Sequence, residues 1–223
     1  MKFTLEDVKR AQSDEDDKWK FGNDILYKLC HDQPKHNDDS VIIAKIWLIG
    51  RSYAAAVERR KRKNESSSPP GDRFYEQCVA PVLKDDQLDQ KIDDLRQYIS
   101  IEDAREPILE LHNYLVTKLF EITHDHKRSL ASKYLHFHLP SLFFIYDYNA
   151  SWILNKLLPR HRTSRKVQEN YDYEYQPFFL KMLDLRDKIH RDPKFGQILS
   201  PRELDRLLRN LWYASQQNSG DNP

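Results

Sequence analysis

In the segment THDHKRSLASKYLHFHLPSLFFIYDYNASWILNKLLP, residues 123–159, a lysine and an aspartate stand 147 − 133 = 14 residues apart. Lys133 falls inside a strongly patterned stretch, and Asp147 at the mouth of the next one. An amine becomes a nucleophile only on losing its proton, and an apolar recess promotes that loss because it disfavours charge. A carboxylate nearby can then stabilise positive charge that develops during attack. These two residue types suggest amine attack on an electrophilic carbon. The same residues also read without chemistry, Asp147 as a helix cap and Lys133 as a lysine that buries its stem and keeps its ammonium wet.

The elements that must position this pair follow from periodicity. RSLASKYLHFH, residues 128–138, predicts a helix with Leu130, Tyr134 and Phe137 along one side and Lys133 at the edge of that stripe. Pro140 ends it, LFFIY crosses the interior as an extended apolar segment, and YNASWILNKLL is helical until Pro159. Asp147 suits the N-cap of that last helix, where its carboxylate accepts backbone N–H bonds and meets the positive end of the dipole.

The rest of the chain also reads as helix. Thr4 with Asp7 caps a short first helix, and residues 14–31 carry Trp19, Ile25, Leu26 and Leu29. Residues 39–60 show two adjacent apolar faces, led by Ile42, Ile46, Ile49 and Tyr53, which predicts a central helix. NESSSPPGD, residues 64–72, is the clearest break and reads as an exposed loop within a single helical domain spanning 1–223. Helices are expected over 73–82, 86–98, 101–123 (with a kink or restart at Pro107) and 174–191. A last helix starts at the capping box Ser200–Pro201–Glu203, with Leu204, Leu208 and Leu211 on its inner face. No segment shows sustained period-two alternation, so the expected fold class is all-α.

Composition narrows the function classes. With 39% apolar and 32% charged residues and only five glycines among 223, the chain suits a helical globular protein. No apolar run approaches the roughly 20 residues that span a bilayer, and the N-terminus lacks a signal-peptide core, so a cytoplasmic protein that meets no membrane is expected. Two cysteines, Cys30 and Cys78, are too few for a cysteine-based zinc or iron–sulfur site. His124, His126, His136 and His138 recur at spacings of two, which scatters each pair over different helix faces, so neither a metal nor a cofactor is expected. A net charge of +1 hides segregation: basic residues gather at Arg59–Lys63 and at Arg160, Arg162, Arg165 and Lys166, acidic ones at Asp14–Asp17 and Asp85–Asp94. Such separation fits a phosphate-binding face, and equally ordinary solvated helix ends.

The run KRSLASKYLHFHLPSLFFIYD resembles the helix-hairpin-helix DNA glycosylase superfamily, most of all its 8-oxoguanine glycosylase branch of bacterial and archaeal type. Over about 35 residues, "RSLASKYL" followed by "FFIYDYNA" is similar to that family's lysine helix, apolar stretch and aspartate. Two departures are visible. HDHK, residues 124–127, has none of the glycines usual in the hairpin, and the lysine-to-aspartate spacing is short for the family. An alternative register brings Lys127 or Arg128 to the nucleophile's position, and since arginine cannot serve, Lys127 is the reserve.

The resemblance implies a helical bundle with a cleft between two lobes. It implies a monomer that flips a damaged or modified base out of duplex DNA. Lys133 would attack the anomeric carbon, forming a Schiff base that can go on to strand cleavage, and Asp147 would stabilise charge at the sugar. Arg51, Trp47, Tyr53 and Tyr134 are the candidate base-pocket residues, with Arg51 alternatively pairing with Glu58. Lys127, Arg128, Arg160, Arg162, Arg165 and Lys166 are the candidate backbone contacts. The rival readings are a non-catalytic helical binding module and a helical RNase of the abortive-infection type. RDKIH, residues 186–190, resembles the arginine–histidine motif of the latter with a tighter spacing. The base itself, oxidised purine or bulky modified pyrimidine, is not specified.

Overall fold

Side-chain caps and apolar stripes set the helix boundaries. In the computed structural model, which describes residues 1–13, 18–58, 71–159 and 170–217, every regular element among the described residues is helical. Thr4 and Asp7 form a reciprocal capping box at the start of α1 (Leu5–Gln12). α2 (Lys20–Asp32) follows, then α3 (Asp39–Ser52), where the Asp38 carboxylate accepts from Ser40 N and Val41 N. α4 (Asp72–Phe74) runs through a π turn (Tyr75–Val79) into α5 (Ala80–Leu83). α6 (Asp86–Arg96) is capped by Asp85, and α7 (Arg105–Thr123) leads into the lysine helix α8 (Arg128–His138). α9 (Tyr148–Leu157), α10 (Tyr175–Arg191) and α11 (Pro201–Gln217) complete the set, with Ser200 and Glu203 bonding reciprocally at the start of α11.

Several expected boundaries move. The helix expected from residue 14 begins at Lys20, with Lys18 and Trp19 in a turn. That expected over 39–60 stops at Ser52, because the chain doubles back: Ala54 takes a left-handed conformation (φ 51) and Ala55 N donates to Gly50 O at 2.8 Å. Gly50 permits this return, since a Cβ there would stand 3.0 Å from the Ala56 Cα. Pro107 causes no kink; α7 starts at Arg105, so Pro107 lies in its first turn, where no intrahelical N–H donor is needed. Residues 101–104 form the turn before it.

The lysine helix lies at the centre. α8 packs against α2, α3 and α7, while α11 packs on α1 and α9. All of its residues except Ser129 are buried, so its apolar stripe is only part of what it hides. Buried side chains from α1 through α11 join one hydrophobic cluster. No described helix is long and apolar enough to cross a membrane.

The centre also holds neutral histidines. Burial pushes His112 and His136 down to about 3, and His138 well below its usual value. His36 is lowered too, by burial working against its bond to Asp89. Below the ordinary histidine value of 6.5 the unfolded chain takes up protons that the folded chain refuses. Stability should therefore fall with pH below that value, by about 1.4 kcal/mol per pH unit for each such histidine. Urea denaturation followed from pH 7 downward checks the slope, and replacing His112 by Gln should reduce it.

Candidate active site

Lys133 and Asp147 meet although they lie on different helices. The Asp147 backbone is extended (φ −152, ψ 173), and its Oδ1 accepts from Ala150 N at 2.8 Å, so it caps α9. Its other oxygen, Oδ2, stands 3.8 Å from Lys133 Nζ. One carboxylate thus caps α9 and also stands beside the lysine amine. The lysine does not snorkel: its side chain is 4% exposed, and the amine donates to Ser129 Oγ, one turn back, at 2.8 Å. The Tyr53 ring faces the amine with its centroid 5.7 Å away. Burial pushes the Lys133 pKa below the ordinary lysine value, with Asp147 and then Asp205 opposing the shift.

The lysine helix itself fixes where Asp147 goes. Tyr146 N donates to Ser132 Oγ at 2.9 Å, and that hydroxyl in turn reaches Ser129 O and Tyr146 O at 3.1 and 3.4 Å. His136 Nδ1 bonds Phe143 O at 2.8 Å, which makes that nitrogen the N–H donor, so Nε2 accepts from Tyr27 OH at 2.7 Å. Tyr175 OH donates to Phe144 O from α10. Leu142, expected in the extended run, lies in a turn, and the segment 143–146 that follows is pinned by Ser132 and His136 of α8 and Tyr175 of α10. Ser132→Ala should cost about 1–2 kcal/mol by orphaning Tyr146 N. It should also widen the Lys133–Asp147 separation, seen as a changed Lys133 Nζ titration by NMR.

Two cavities adjoin at this pair. The first, about 440 Å³, is walled by Trp19, Asn23, Tyr53, Arg202, Asp205 and Trp212, among others. The second, about 370 Å³, holds Lys133, Ser129, Lys127 and Tyr148. Tyr53, Ala54, Asp147 and Asn149 line both. Tyr53 is the partition: its hydroxyl donates to Asn23 Oδ1 at 2.7 Å and accepts from Arg202 Nη1 at 3.0 Å. Arg202 also reaches Asp205 Oδ2 at 3.1 Å. Burial raises Asp205, opposed chiefly by Arg202, and pushes Tyr53 up to about 12.

The other expected site residues are dispersed. Arg51 is exposed and ion-pairs with Glu58, the structural contact the sequence offered as its alternative, and it lines neither cavity; nor does Trp47, which is 42% exposed. Tyr134, expected to wall a base pocket, is instead core: one residue past Lys133, it points roughly 100° further round α8 and is fully buried. There its hydroxyl meets His36 Nε2 at 2.6 Å, while His36 Nδ1 meets Asp89 Oδ1. Arg128, expected on a phosphate, is buried, with Nε 2.7 Å from both oxygens of Asp172, Nη1 3.3 Å from Glu174 and its guanidinium over the Tyr173 ring. It lines the second cavity, but its Nε is held by a carboxylate that also caps Glu174 N and Tyr175 N. Lys127 lines the second cavity, 3.0 Å from Asp125 Oδ2. Arg160, Arg162, Arg165 and Lys166 lie outside the described residues, as do Arg59–Lys63 and Asp14–Asp17.

The connection between α7 and α8 turns on His124, left-handed at φ 50 without a glycine. Among the described residues no group of histidines, cysteines and carboxylates is arranged to hold a metal ion. Pattern weighs Trp152 and Trp212 as core rather than base-stacking residues, yet Trp212 lines the first cavity; it does not single out Asn23, Arg202 or Asp205, although Asp205, a carboxylate between Leu204 and Leu208 on the buried face of α11, is a visible signal. Compared with family models, curated proteins and solved structures, the chain finds no match.

Proposed function

We propose that this protein is a DNA glycosylase that excises a damaged or modified base from duplex DNA, with Lys133 as nucleophile and Asp147 as the stabilising carboxylate. One observation carries the reading: a buried lysine amine, held 3.8 Å from a carboxylate, where two cavities join. Burial alone is insufficient. Lys45 is fully buried and lowered to about 8, yet its amine donates to Lys35 O, and it lines neither cavity.

The chemistry suits the layout. Loss of the ammonium proton frees the Lys133 lone pair for C1′ of a flipped nucleotide, while Asp147 faces the charge that develops as the N-glycosidic bond breaks. The second cavity, where the amine is, would receive the deoxyribose. The first, with its tryptophan and tyrosine walls, would receive the base, which relocates the expected base pocket from Arg51, Trp47 and Tyr134 to α2 and α11. Of the expected pocket residues only Tyr53 keeps its role. Lys127 lines the second cavity, where a phosphate would have to compete with Asp125 for its ammonium.

Borohydride reduction during turnover tests this. Duplexes carrying 8-oxoguanine, 5-hydroxymethyluracil or a preformed abasic site should yield a covalent protein–DNA adduct, with the modified peptide containing Lys133. An adduct at Lys127 instead would move the nucleophile, and no adduct with any of these duplexes would overturn the enzymatic reading.

A further inference from the structure

Two aspartates line the first cavity, and their settings differ. Asp147 sits at a helix N-terminus, its side chain 37% exposed, bonded to a backbone N–H and beside an amine. Asp205 lies in the second turn of α11, buried on its inner face, with the Arg202 guanidinium as its hydrogen-bond partner one turn back. Burial disfavours the charged form of a carboxyl, and it raises the Asp205 pKa above the ordinary carboxylate value. The charged or titratable groups around Asp205 are Arg202 and Arg209 on α11, Asp147 on α9, Lys133 on α8, Tyr53 at the end of α3 and Tyr27 on α2. Burial outweighs the two arginines, and Asp147 adds to the upward shift.

The position of Asp205 matters as much as its protonation. It lines the first cavity, whereas Lys133 lines the second, and Tyr53 stands between them. If the sugar occupies the lysine's cavity, the base occupies that of Asp205. Building on the glycosylase reading, we propose that Asp205 is the catalytic acid that protonates the departing base.

The step balances as follows. The C1′–N bond breaks with its electron pair going to the base. Asp205 O–H delivers a proton to that base and becomes a carboxylate, which Arg202 then stabilises. The Lys133 lone pair forms the new bond to C1′, and the nitrogen, now positive beside Asp147, sheds a proton to solvent. Its lone pair next expels the ring oxygen O4′, which takes a proton from water, leaving the C=N iminium that borohydride reduces. Asp205 recovers its proton from solvent once the base departs. The acid is therefore needed for base release and not for Schiff-base formation on a site that has already lost its base.

That division provides the test. With the duplexes carrying 8-oxoguanine or 5-hydroxymethyluracil, D205N should slow single-turnover base release on the order of 10²–10⁴-fold. The unsubstituted protein should lose rate as pH rises through the ionisation of Asp205, and D205N should lack that limb. On preformed abasic duplex D205N should still be trapped by borohydride, which also shows that it folds. D205E should recover part of base release. Base release by D205N at the unsubstituted rate and pH profile overturns the proposal, as does equal loss of base release and abasic trapping, which marks a structural role. No trapping by the unsubstituted protein would instead sink the glycosylase reading beneath it. Without DNA, the infrared difference between the protein and D205N should show a neutral carboxylic acid at neutral pH; a carboxylate band in its place would also overturn the assignment.

Discussion

Lys133→Met is expected to abolish the borohydride-trapped adduct on modified and abasic duplexes alike, while the protein stays as stable as before or gains. Methionine keeps most of the lysine stem's volume and removes only the amine. The amine lies in a side chain that is 4% exposed, and burial has lowered its pKa, so the folded state bears a cost for holding the charge. That cost is fully present below the folded-state pKa and fades as pH climbs toward the ordinary lysine value of 10.5. Any stability advantage of the methionine variant should shrink over the same interval. Asp147, left behind, is partly solvated and still bonded to Ala150 N, so it is not stranded. Urea denaturation at pH 7 should place the variant within about 1 kcal/mol of the original or above it. Loss of adduct together with several kcal/mol of stability would show that the lysine is a structural strut.

Asp172→Ala should have the opposite profile, a large loss of stability. The substitution strands the Arg128 guanidinium, whose side chain is 10% exposed, and removes the acceptor for Glu174 N and Tyr175 N. Breaking a buried pair by removing one partner costs about 3–5 kcal/mol, chiefly for the charge left unpaired. Glu174 can hold Arg128 only weakly, at 3.3 Å and from a largely exposed position. Denaturation midpoints measure the loss, and adding Arg128→Met should return part of it by removing the stranded charge. A loss below about 1 kcal/mol for the single variant would mean that water or Glu174 takes over, freeing Arg128 for the phosphate role that its sequence position suggested.

The same contrast shows where pattern reading succeeds. Local rules fix the helices: Thr4–Asp7, Asp147 and Ser200–Glu203 cap where their spacing says they should, and Pro140 ends the lysine helix. Those effects act over three or four residues, so one sequence is enough to see them. The end of α3 was missed because Ser52, Tyr53 and Ala54 carry no stop signal. The helix stops because Gly50 lets Ala56 approach, and that contact exists only after the chain has turned back.

Periodicity and caps are enough to read this chain as helical and to mark Lys133 and Asp147 as a pair. Which partner answers each charge comes from the packing of the folded chain. Arg128 and Arg51, equally basic on paper, are answered by Asp172 and Glu58, and Asp205, one polar letter in a leucine stripe, is answered by Arg202 at the wall of a cavity. The physical reason is that a charge's role depends on its desolvation and its partners, and both come largely from helices distant in sequence. Pattern reports which face of a helix is buried; only the packed structure reports what it is buried against.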